Sequence, residues 1–145
     1  MKKIVIIGNG IAGVEAALTI RQNSNASILL ISEESPVFFA RTAMMYVFMD
    51  QLSEKEVLPY PLKFFEANQI QLLQASITGI DASKNILLNG DNQPISYDYL
   101  LIATGSKPHL PDWANTQWNG IHNFYHWQDL IALKSNIANA QQPVV

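Results

Sequence analysis

Three glycines lie close together near the start of the chain, Gly8, Gly10 and Gly13 in the stretch GNGIAG. In a dinucleotide-binding turn, the first glycine permits a tight turn and the second lets a pyrophosphate approach the main chain. The third lets the following helix pack closely on a sheet. The N-terminus of that helix offers free N–H groups and a partial positive charge to phosphates. The spacing therefore predicts a turn that binds the diphosphate of a nucleotide.

Two acidic residues, Glu33 and Glu34, follow the last of these glycines. A carboxylate about 20 positions further on accepts hydrogen bonds from the ribose hydroxyls in such sites. Glu33 fits this spacing slightly better, and Glu34 is the alternative. A glycine-rich turn in a parallel sheet that binds nothing is the competing interpretation. The strand, helix, second strand and acid, taken together, favour the nucleotide site.

The elements that must position these residues are visible in the apolar pattern. The β-branched run IVII, residues 4–7, is typical of a parallel strand covered on both faces. Apolar residues at helical spacing then predict a helix that ends near residues 23–25. The run SILLI, residues 27–31, predicts a second strand. One helical face is expected to carry Ile11, Val14, Ala17 and Leu18.

The middle of the chain is less regular. Residues 53–56, SEKE, have the pattern of a capping box and predict the start of a short helix that Pro59 ends. Pro61 can open another short helix, which would end near Asn68. Residues 70–81 are expected to be extended.

A second group of strands is predicted after this segment. Gly79 would mark a bend or bulge, and the pair Asn89-Gly90 is a strong hairpin signal. Another buried strand is expected at residues 99–103. The fold class is therefore α/β, with a Rossmann-like parallel sheet, helices and an inserted antiparallel β-meander.

The composition limits the possible functions. The chain has 145 residues, 48% of them apolar and 14% charged, which is typical of a globular protein. Its formal charge of −3 gives no electrostatic reason to expect nucleic acid or an anionic membrane surface as a partner. No apolar run is long enough for a transmembrane helix. The chain contains no cysteine, which excludes disulfides and thiol redox chemistry within it. By default we expect a cytoplasmic protein.

Two stretches carry a resemblance to a known family. VIIGNGIAG and YDYLLIATGSKPHLP, with the acid after the second strand, resemble the N-terminal part of the pyridine nucleotide–disulphide oxidoreductase family. The resemblance covers nearly the whole chain. It implies an FAD/NAD(P)-binding domain fold, with FAD rather than NAD at the glycine turn. It also implies that NAD(P)H is the co-substrate and that electrons pass through the flavin to an acceptor.

The resemblance also implies roles for individual residues. Main-chain groups of Gly8, Gly10, Ile11, Ala12 and Gly13 would hold the FAD pyrophosphate. Glu33, or else Glu34, would bind the adenosine ribose, and the segment around Ile77 would lie against the adenine. Residues that follow the later strand would close over the cofactor, namely Ala103, Thr104 and Gly105.

Arg41 and Thr42 complete the candidate cofactor-binding residues. The resemblance implies that Arg41 lies near the phosphates or the flavin, where a permanent guanidinium charge suits a pyrophosphate. Thr42 occupies the position of the redox cysteine of thiol-using relatives, so disulphide reduction is not expected. No catalytic acid or base and no metal site is predicted. Three histidines are interpreted as packing or surface residues, namely His109, His122 and His126.

Where the chain stops also bears on its expected role. In the family that it resembles, the sequence Pro-Val-Val begins an NAD(P)H-binding domain, and this chain ends on those residues. We therefore expect residues 1–111 to be the first segment of an incomplete FAD-binding domain. Residues 112–145 would connect it to an NAD(P)H-binding domain. They would include a helix from about residue 127, whose apolar side is expected to carry Leu130, Ile131 and Leu133.

These expectations leave alternatives of other classes open. The isolated chain is expected to bind FAD weakly at best and to be inactive alone. One alternative is a stand-alone module that binds NAD or an adenine nucleotide without redox turnover. Another is a non-binding assembly fragment that exposes apolar surface. A homo-oligomer is also possible.

Overall fold

The computed structural model describes residues 1–91, 93–109, 111 and 121–137. The chain divides into two compact units. The first contains residues 1–39 and 58–105. The second contains residues 40–57 and, among the described residues after 105, those at 106–109, 111 and 121–137.

A parallel sheet forms the centre of the first unit. Its four strands are β1 (Lys3–Ile7), β2 (Ser27–Ser32), β3 (Ile70–Gln74) and β7 (Tyr99–Ile102), in the order β3-β2-β1-β7. All three strand pairs are parallel. Helix α1 (Ile11–Asn23) connects β1 to β2, so the predicted strand–turn–helix–strand unit is confirmed.

One face of this sheet is covered by α1 and by an aromatic group near helix α3 (Leu62–Ala67). Tyr60 stacks on Phe64 with ring centroids 4.6 Å apart, and Phe65 meets Phe64 edge to face. Burial of a side chain such as that of Phe65 contributes about 1.5–3 kcal/mol to folding. The fully buried part of this core consists of Ile6, Val14, Ala17, Ile28, Leu30, Phe38, Phe65 and Ile70.

The other core of the first unit involves a small antiparallel sheet. It is formed by β4 (Ile77–Asp81), β5 (Ile86–Asn89) and β6 (Pro94–Ser96), in that order. Its Leu87 is buried with two residues of the parallel sheet, Val5 and Ile31. The predicted hairpin is present because β5 and β6 pair antiparallel, and the register shifts between residues 77 and 79, where a bulge was predicted. The predicted α/β fold with an inserted antiparallel sheet is therefore confirmed.

The second unit contains a 3-10 turn (Arg41–Ala43), helix α2 (Met44–Phe48) and helix α4 (Trp127–Ile137). Lys134 joins the two helices, because its Nζ donates hydrogen bonds to the main-chain oxygen of Val47 at 3.0 Å and to a carboxylate oxygen of Asp50 at 2.6 Å. In the part of the chain that the structure describes, no helix has both the length and the apolarity to cross a membrane.

The predicted helix at residues 53–56 is absent. One of the two capping-box hydrogen bonds forms, since the Ser53 N–H donates to Oε2 of Glu56 at 2.7 Å, and the Ser53 hydroxyl donates to the same oxygen at 2.8 Å. The segment nevertheless stays a series of turns. Pro59 explains this result, because proline disfavours the helical conformation of the residue before it and supplies no N–H donor. Only residues 54–57 remain between Ser53 and Leu58, which is about one helical turn.

The strand expected at residues 99–103 is present as Tyr99–Ile102, but the expectation that it is buried is wrong. In the described sheet β7 is an edge strand, paired only with β1. Tyr99 and Ile102 are therefore 59% and 58% exposed. Two residues expected on apolar helical faces are exposed as well, namely Ile11 at 61% and Ile131 at 54%.

Candidate nucleotide-binding site

The turn between β1 and α1 begins with a conformation that requires glycine. Gly8 has φ +106°, a region that residues with a side chain rarely adopt. Its N–H donates to the main-chain oxygen of Ile31 at 2.7 Å. A Cβ at Gly8 would also lie only 2.1 Å from the main-chain oxygen of Ala103. Gly8 is therefore required by the packing of the protein itself.

Gly13 is required for a similar reason. A Cβ at this position would lie 1.9 Å from the main-chain oxygen of Gly8. The first turn of α1 therefore packs directly on the turn that precedes it. Such contact between helix and turn is the expected function of the third glycine in a dinucleotide-binding turn.

Gly10 differs from the other two glycines. It is the N-cap residue of α1, with φ −67° and ψ −179°, which any residue can adopt. A Cβ placed there would meet no atom within 4 Å. Packing within the protein therefore does not require a glycine at this position. Open space beside the main chain is what the close approach of a ligand phosphate needs.

The N-terminus of α1 has properties that suit an anion. The N–H groups of a first helical turn have no partner within the helix. No side chain caps this helix end, and no acidic residue lies in its first turn. Ile11 and Ala12 open the helix, and the side chain of Ile11 is exposed. The main-chain groups of residues 11–13 can thus meet a phosphate without competition from a carboxylate.

Asn9 is a site residue that the sequence interpretation missed. Its side chain is only 9% exposed, and Nδ2 donates to the main-chain oxygen of Ser35 at 2.9 Å. The Ser35 hydroxyl in turn donates to the main-chain oxygen of Val37 at 2.6 Å. Asn9 thereby holds the glycine turn to the segment after β2. The only signal in the sequence was an amide side chain between two glycines.

Glu33 directly follows β2, at the sheet edge where the glycine turn leaves β1. Its Oε2 accepts a hydrogen bond from the hydroxyl of Ser76 at 2.8 Å. Its main-chain oxygen accepts one from Nε2 of Gln74 at 3.5 Å. Glu34 is the next residue and is half-buried. Both acids therefore lie on the loop that Asn9 holds, and Ser76 is a second residue that the sequence interpretation missed.

Residues 103–105, which follow β7, lie next to the glycine turn. Ala103 donates its N–H to the main-chain oxygen of Ile7 at 2.7 Å, and its own oxygen occupies the space beside Gly8. Thr104 and Gly105 follow, and Gly105 has φ +70°. The first unit thus brings the residues of both motifs to the carboxyl end of β1, as expected for a ligand crevice in an open α/β sheet.

Ile77 belongs to the neighbouring part of the first unit. It is the first residue of β4 and pairs with Asn89 of β5. It directly follows Ser76, whose hydroxyl contacts Glu33. The segment predicted to lie against the adenine is therefore continuous with the residue that contacts the predicted ribose ligand.

Arg41 and Thr42 belong to the second unit. The guanidinium carbon of Arg41 lies 4.4 Å from the ring centre of Tyr125, and Nη1 donates to the main-chain oxygen of Tyr125. The Tyr125 hydroxyl is 3.0 Å from the hydroxyl of Ser106. Thr42 is exposed within the 3-10 turn. The cation–π contact holds the Arg41 guanidinium against an aromatic face, and no signal in the sequence identified Tyr125.

Curated proteins with similar sequences include reductases of much greater length. The chain is 27% identical to the rubredoxin-NAD(+) reductase of Pseudomonas putida, an alignment that covers 98% of this chain and 38% of the relative. It is 28% identical to the rhodocoxin reductase of Rhodococcus erythropolis, covering 98% of this chain and 34% of that protein. The chain therefore spans little more than a third of these relatives.

Solved structures share the fold. NADH:rubredoxin oxidoreductase from Clostridium acetobutylicum matches with a TM-score of 0.86 and 24% identity, over 95% of this chain and 36% of that one. Sulfide:quinone oxidoreductase from Aquifex aeolicus matches with a TM-score of 0.79 and 24% identity, over 95% and 32%. A family model described as pyridine nucleotide-disulphide oxidoreductase matches residues 2–145. The chain belongs to the pyridine nucleotide-disulphide oxidoreductase family.

Proposed function

We propose that this chain is the FAD-binding part of an NAD(P)H-dependent flavoprotein oxidoreductase. The observation that carries the proposal is the open space at Gly10, beside the uncapped N-terminus of α1. Gly8 and Gly13 are needed for packing, whereas Gly10 leaves room for a phosphate. Family membership and the reductase names of the relatives support the redox part of the proposal.

The residues of the first unit would share the binding of FAD among them. Main-chain groups of the turn and of the first helical turn would hold the pyrophosphate, and Glu33 would accept hydrogen bonds from the adenosine ribose, with Glu34 as the alternative. The segment at Ile77 would lie against the adenine. Main-chain groups beside the pyrophosphate and over the cofactor would come from Gly8, Gly10, Ile11, Ala12, Gly13, Ala103, Thr104 and Gly105.

The second unit would contribute Arg41 and Thr42. We infer that the contact with Tyr125 orients the guanidinium for a negatively charged part of the cofactor. FAD, when bound, supplies the capacity to accept a hydride from NAD(P)H and to pass electrons on singly or in pairs. Thr42 offers a hydroxyl where thiol-using relatives have a redox cysteine, and the chain contains no cysteine. Electron transfer would therefore proceed without a thiol from these residues.

The finer parts of the proposal concern the parent protein. Electrons would pass to an acceptor such as a small redox protein, and the rubredoxin-NAD(+) reductase relative makes that class of acceptor the first to test. Residues 1–111 would form the FAD-binding segment, and residues 112–145 would lead toward an NAD(P)H-binding domain. The cytoplasmic location and the homo-oligomer stay predictions.

A second candidate function is a module that binds an adenine nucleotide without redox turnover. It is supported by the position of the candidate residues: the glycine turn, Glu33 and the Ile77 segment would all contact the ADP half that FAD shares with NAD and ADP-ribose. The flavin half has fewer proposed contacts among the described residues. The two candidates therefore differ in whether the isoalloxazine ring adds to the binding.

Titration of FAD with the chain, followed by the quenching of flavin fluorescence, tests the proposal. We expect FAD and ADP to bind and FMN, which lacks the ADP half, not to bind. Gly10→Ala and Glu33→Gln should each weaken ADP binding, by roughly tenfold or more for Glu33→Gln because a charged hydrogen bond is worth about 1.5–3 kcal/mol. Glu34→Gln tests the alternative ligand: it should change the affinity less than about twofold if Glu33 binds the ribose, and a larger loss than that of Glu33→Gln would assign the ribose to Glu34.

The possible results separate the two candidates. FAD binding that is tighter than ADP binding supports the flavoprotein. ADP-ribose binding without any uptake of flavin at high micromolar protein would favour the redox-inactive module. Failure to bind either ligand would contradict both candidates for this chain.

A further inference from the structure

The main chain around Ser76 is held from two directions. The preceding residue, Ala75, donates its N–H to the main-chain oxygen of Ser32 at 3.0 Å, at the end of β2. The main-chain oxygen of Ser76 itself accepts from the N–H of Gly90 at 2.9 Å, in the β5–β6 hairpin. Ser76 is thereby fixed beside the carboxyl end of β2, where the acidic loop begins.

Its hydroxyl contacts the side chain of the proposed ribose ligand. The distance from the Ser76 Oγ to Oε2 of Glu33 is 2.8 Å. An ionised carboxylate can only accept hydrogen bonds, so the hydroxyl must be the donor. Glu33 is exposed and would otherwise sample several rotamers, which a ligand would have to restrict on binding. The hydrogen bond from Ser76 restricts the rotamers of Glu33 before the ligand binds.

The contact leaves most of the carboxylate available. A carboxylate offers about four acceptor positions on its two oxygens, and Ser76 occupies one of them. Oε1 and the second position on Oε2 remain for donors such as the two hydroxyls of a ribose.

We propose that Ser76 is a positioning residue that orients Glu33 toward the ribose and so increases the selectivity of the site for ribonucleotides. The inference rests on the proposed function, because it needs the nucleotide to bind at this edge of the sheet. Ser76 acts through Glu33, so its effect must disappear when Glu33 can no longer act as a charged acceptor. A merely structural role for Ser76 has no such dependence.

The experiment compares two probes, ADP and 2′,3′-dideoxy-ADP, by calorimetric titration of the full chain. The wild type should bind ADP more tightly than the dideoxy compound. Ser76→Ala should weaken ADP binding by roughly threefold to tenfold, the range of one hydrogen bond, and leave the dideoxy compound within about twofold. Ser76→Thr keeps a hydroxyl and should retain most of the ADP affinity.

A double-mutant cycle gives the decisive measurement. In the Glu33→Gln background, the additional change Ser76→Ala should leave the ADP affinity within about twofold. Ser83→Ala is the matched control, since its hydroxyl also contacts a carboxylate, that of Asp81 at 2.6 Å, within another turn. That variant should bind both probes like the wild type.

The outcomes keep the two proposals apart. The positioning role alone is overturned by one pair of results. In that pair the wild type binds ADP more tightly than the dideoxy compound, but Ser76→Ala weakens the binding of both probes equally. Persistence of the Ser76→Ala effect in the Glu33→Gln background would overturn it as well. A wild type that binds neither probe would overturn the proposed function and this inference with it.

Discussion

The side-chain amide of Asn9 donates a hydrogen bond to the main-chain oxygen of Ser35, with an N···O distance of 2.9 Å. Asn9 belongs to the glycine turn, and Ser35 belongs to the loop that carries both candidate acids. The amide is buried, so the bond is shielded from water. This bond therefore fixes the distance between the glycine turn and the proposed ribose ligand, Glu33.

Asn9→Ala is expected to weaken both the fold and the binding of ADP. The substitution leaves the Ser35 oxygen without its donor, and the loss of one such bond should lower the free energy of unfolding by about 1 kcal/mol. Thermal unfolding and ADP titration measure the two effects. Asn23→Ala is the matched control, because Asn23 donates to Thr19 at an exposed helix end. Equal ADP affinity in Asn9→Ala and wild type would contradict the predicted spacing role.

The glycines of the turn should respond differently to alanine. Gly8→Ala and Gly13→Ala place a Cβ within 2.1 and 1.9 Å of main-chain oxygens, so both variants should unfold at a lower temperature than the wild type. For Gly8→Ala the strained backbone alone should lower the free energy of unfolding by at least about 1–3 kcal/mol. Gly10→Ala should cost less than about 1 kcal/mol, because only the N-cap preference changes. Its defect should appear in nucleotide affinity. Circular dichroism melting beside ADP titration checks this contrast, and a strongly destabilised Gly10→Ala would contradict it.

Arg21, a half-buried charge, should contribute to the stability of the first unit. Its guanidinium donates to the main-chain oxygens of Asn68, Ser24, Ala26 and Gln69 at 2.8–3.2 Å. These bonds join the end of α1 to the end of α3. Arg21→Lys keeps the charge and loses the planar fork, so it should lower the free energy of unfolding by about 1–2 kcal/mol in urea denaturation.

Lys63→Ala provides the control for Arg21, as an exposed basic residue on α3. It should change stability by less than about 0.5 kcal/mol. If Arg21→Lys is as stable as Lys63→Ala, the four main-chain contacts do not stabilise the unit.

Asp98 should make part of the stability dependent on pH. Its carboxylate accepts from the main-chain N–H of Lys3 at 2.6 Å, and this bond, with the charge of Lys2, holds the pKa of Asp98 below its ordinary value of 3.8. A lowered pKa in the folded state means that the unfolded chain binds the proton more tightly. The contribution is therefore present at neutral pH and is lost as the pH falls through the folded-state pKa.

Asp98→Asn removes this titration. The melting temperature of the variant should lie below that of the wild type at about pH 7, and the gap should narrow at about pH 3. Asp91→Asn, at an exposed position of the β5–β6 connection, is the control and should show no such narrowing. A gap for Asp98→Asn that stays constant with pH would contradict the prediction.

The predictable parts of the fold are those encoded by local patterns. The β-branched run of residues 4–7, the glycines after it and the apolar spacing of α1 each depend on a few neighbouring residues, so the βαβ unit could be predicted. The hairpin at Asn89-Gly90 is local in the same way. Residues 53–56 show the limit: the Glu56 side chain accepts from the Ser53 N–H as in a capping box, but no helix follows, and Pro59 lies close by.

The unpredicted parts depend on residues distant in sequence. Tertiary structure determines which residues contact the candidate side chains: Ser35 contacts Asn9, Ser76 contacts Glu33 and Tyr125 contacts Arg41. No local sequence pattern identifies such partners, because many residue types offer a hydroxyl or a carbonyl. The burial of β7 was also misjudged, because an apolar run predicts a strand without indicating how many neighbours that strand has. Apolar content alone does not separate an edge strand from a central one.

The contact between Gly8 and the main-chain oxygen of Ala103 has a practical consequence for protein engineering. A chimera that takes its first strand and helix from a relative should take residues 103–105 from the same donor. The reason is that the main chain at Gly8 and the main-chain oxygen of Ala103 lie too close together for a side chain between them. Mutant libraries that vary only one of the two segments should yield mostly destabilised proteins. Folded variants are expected mainly from libraries that vary both segments together.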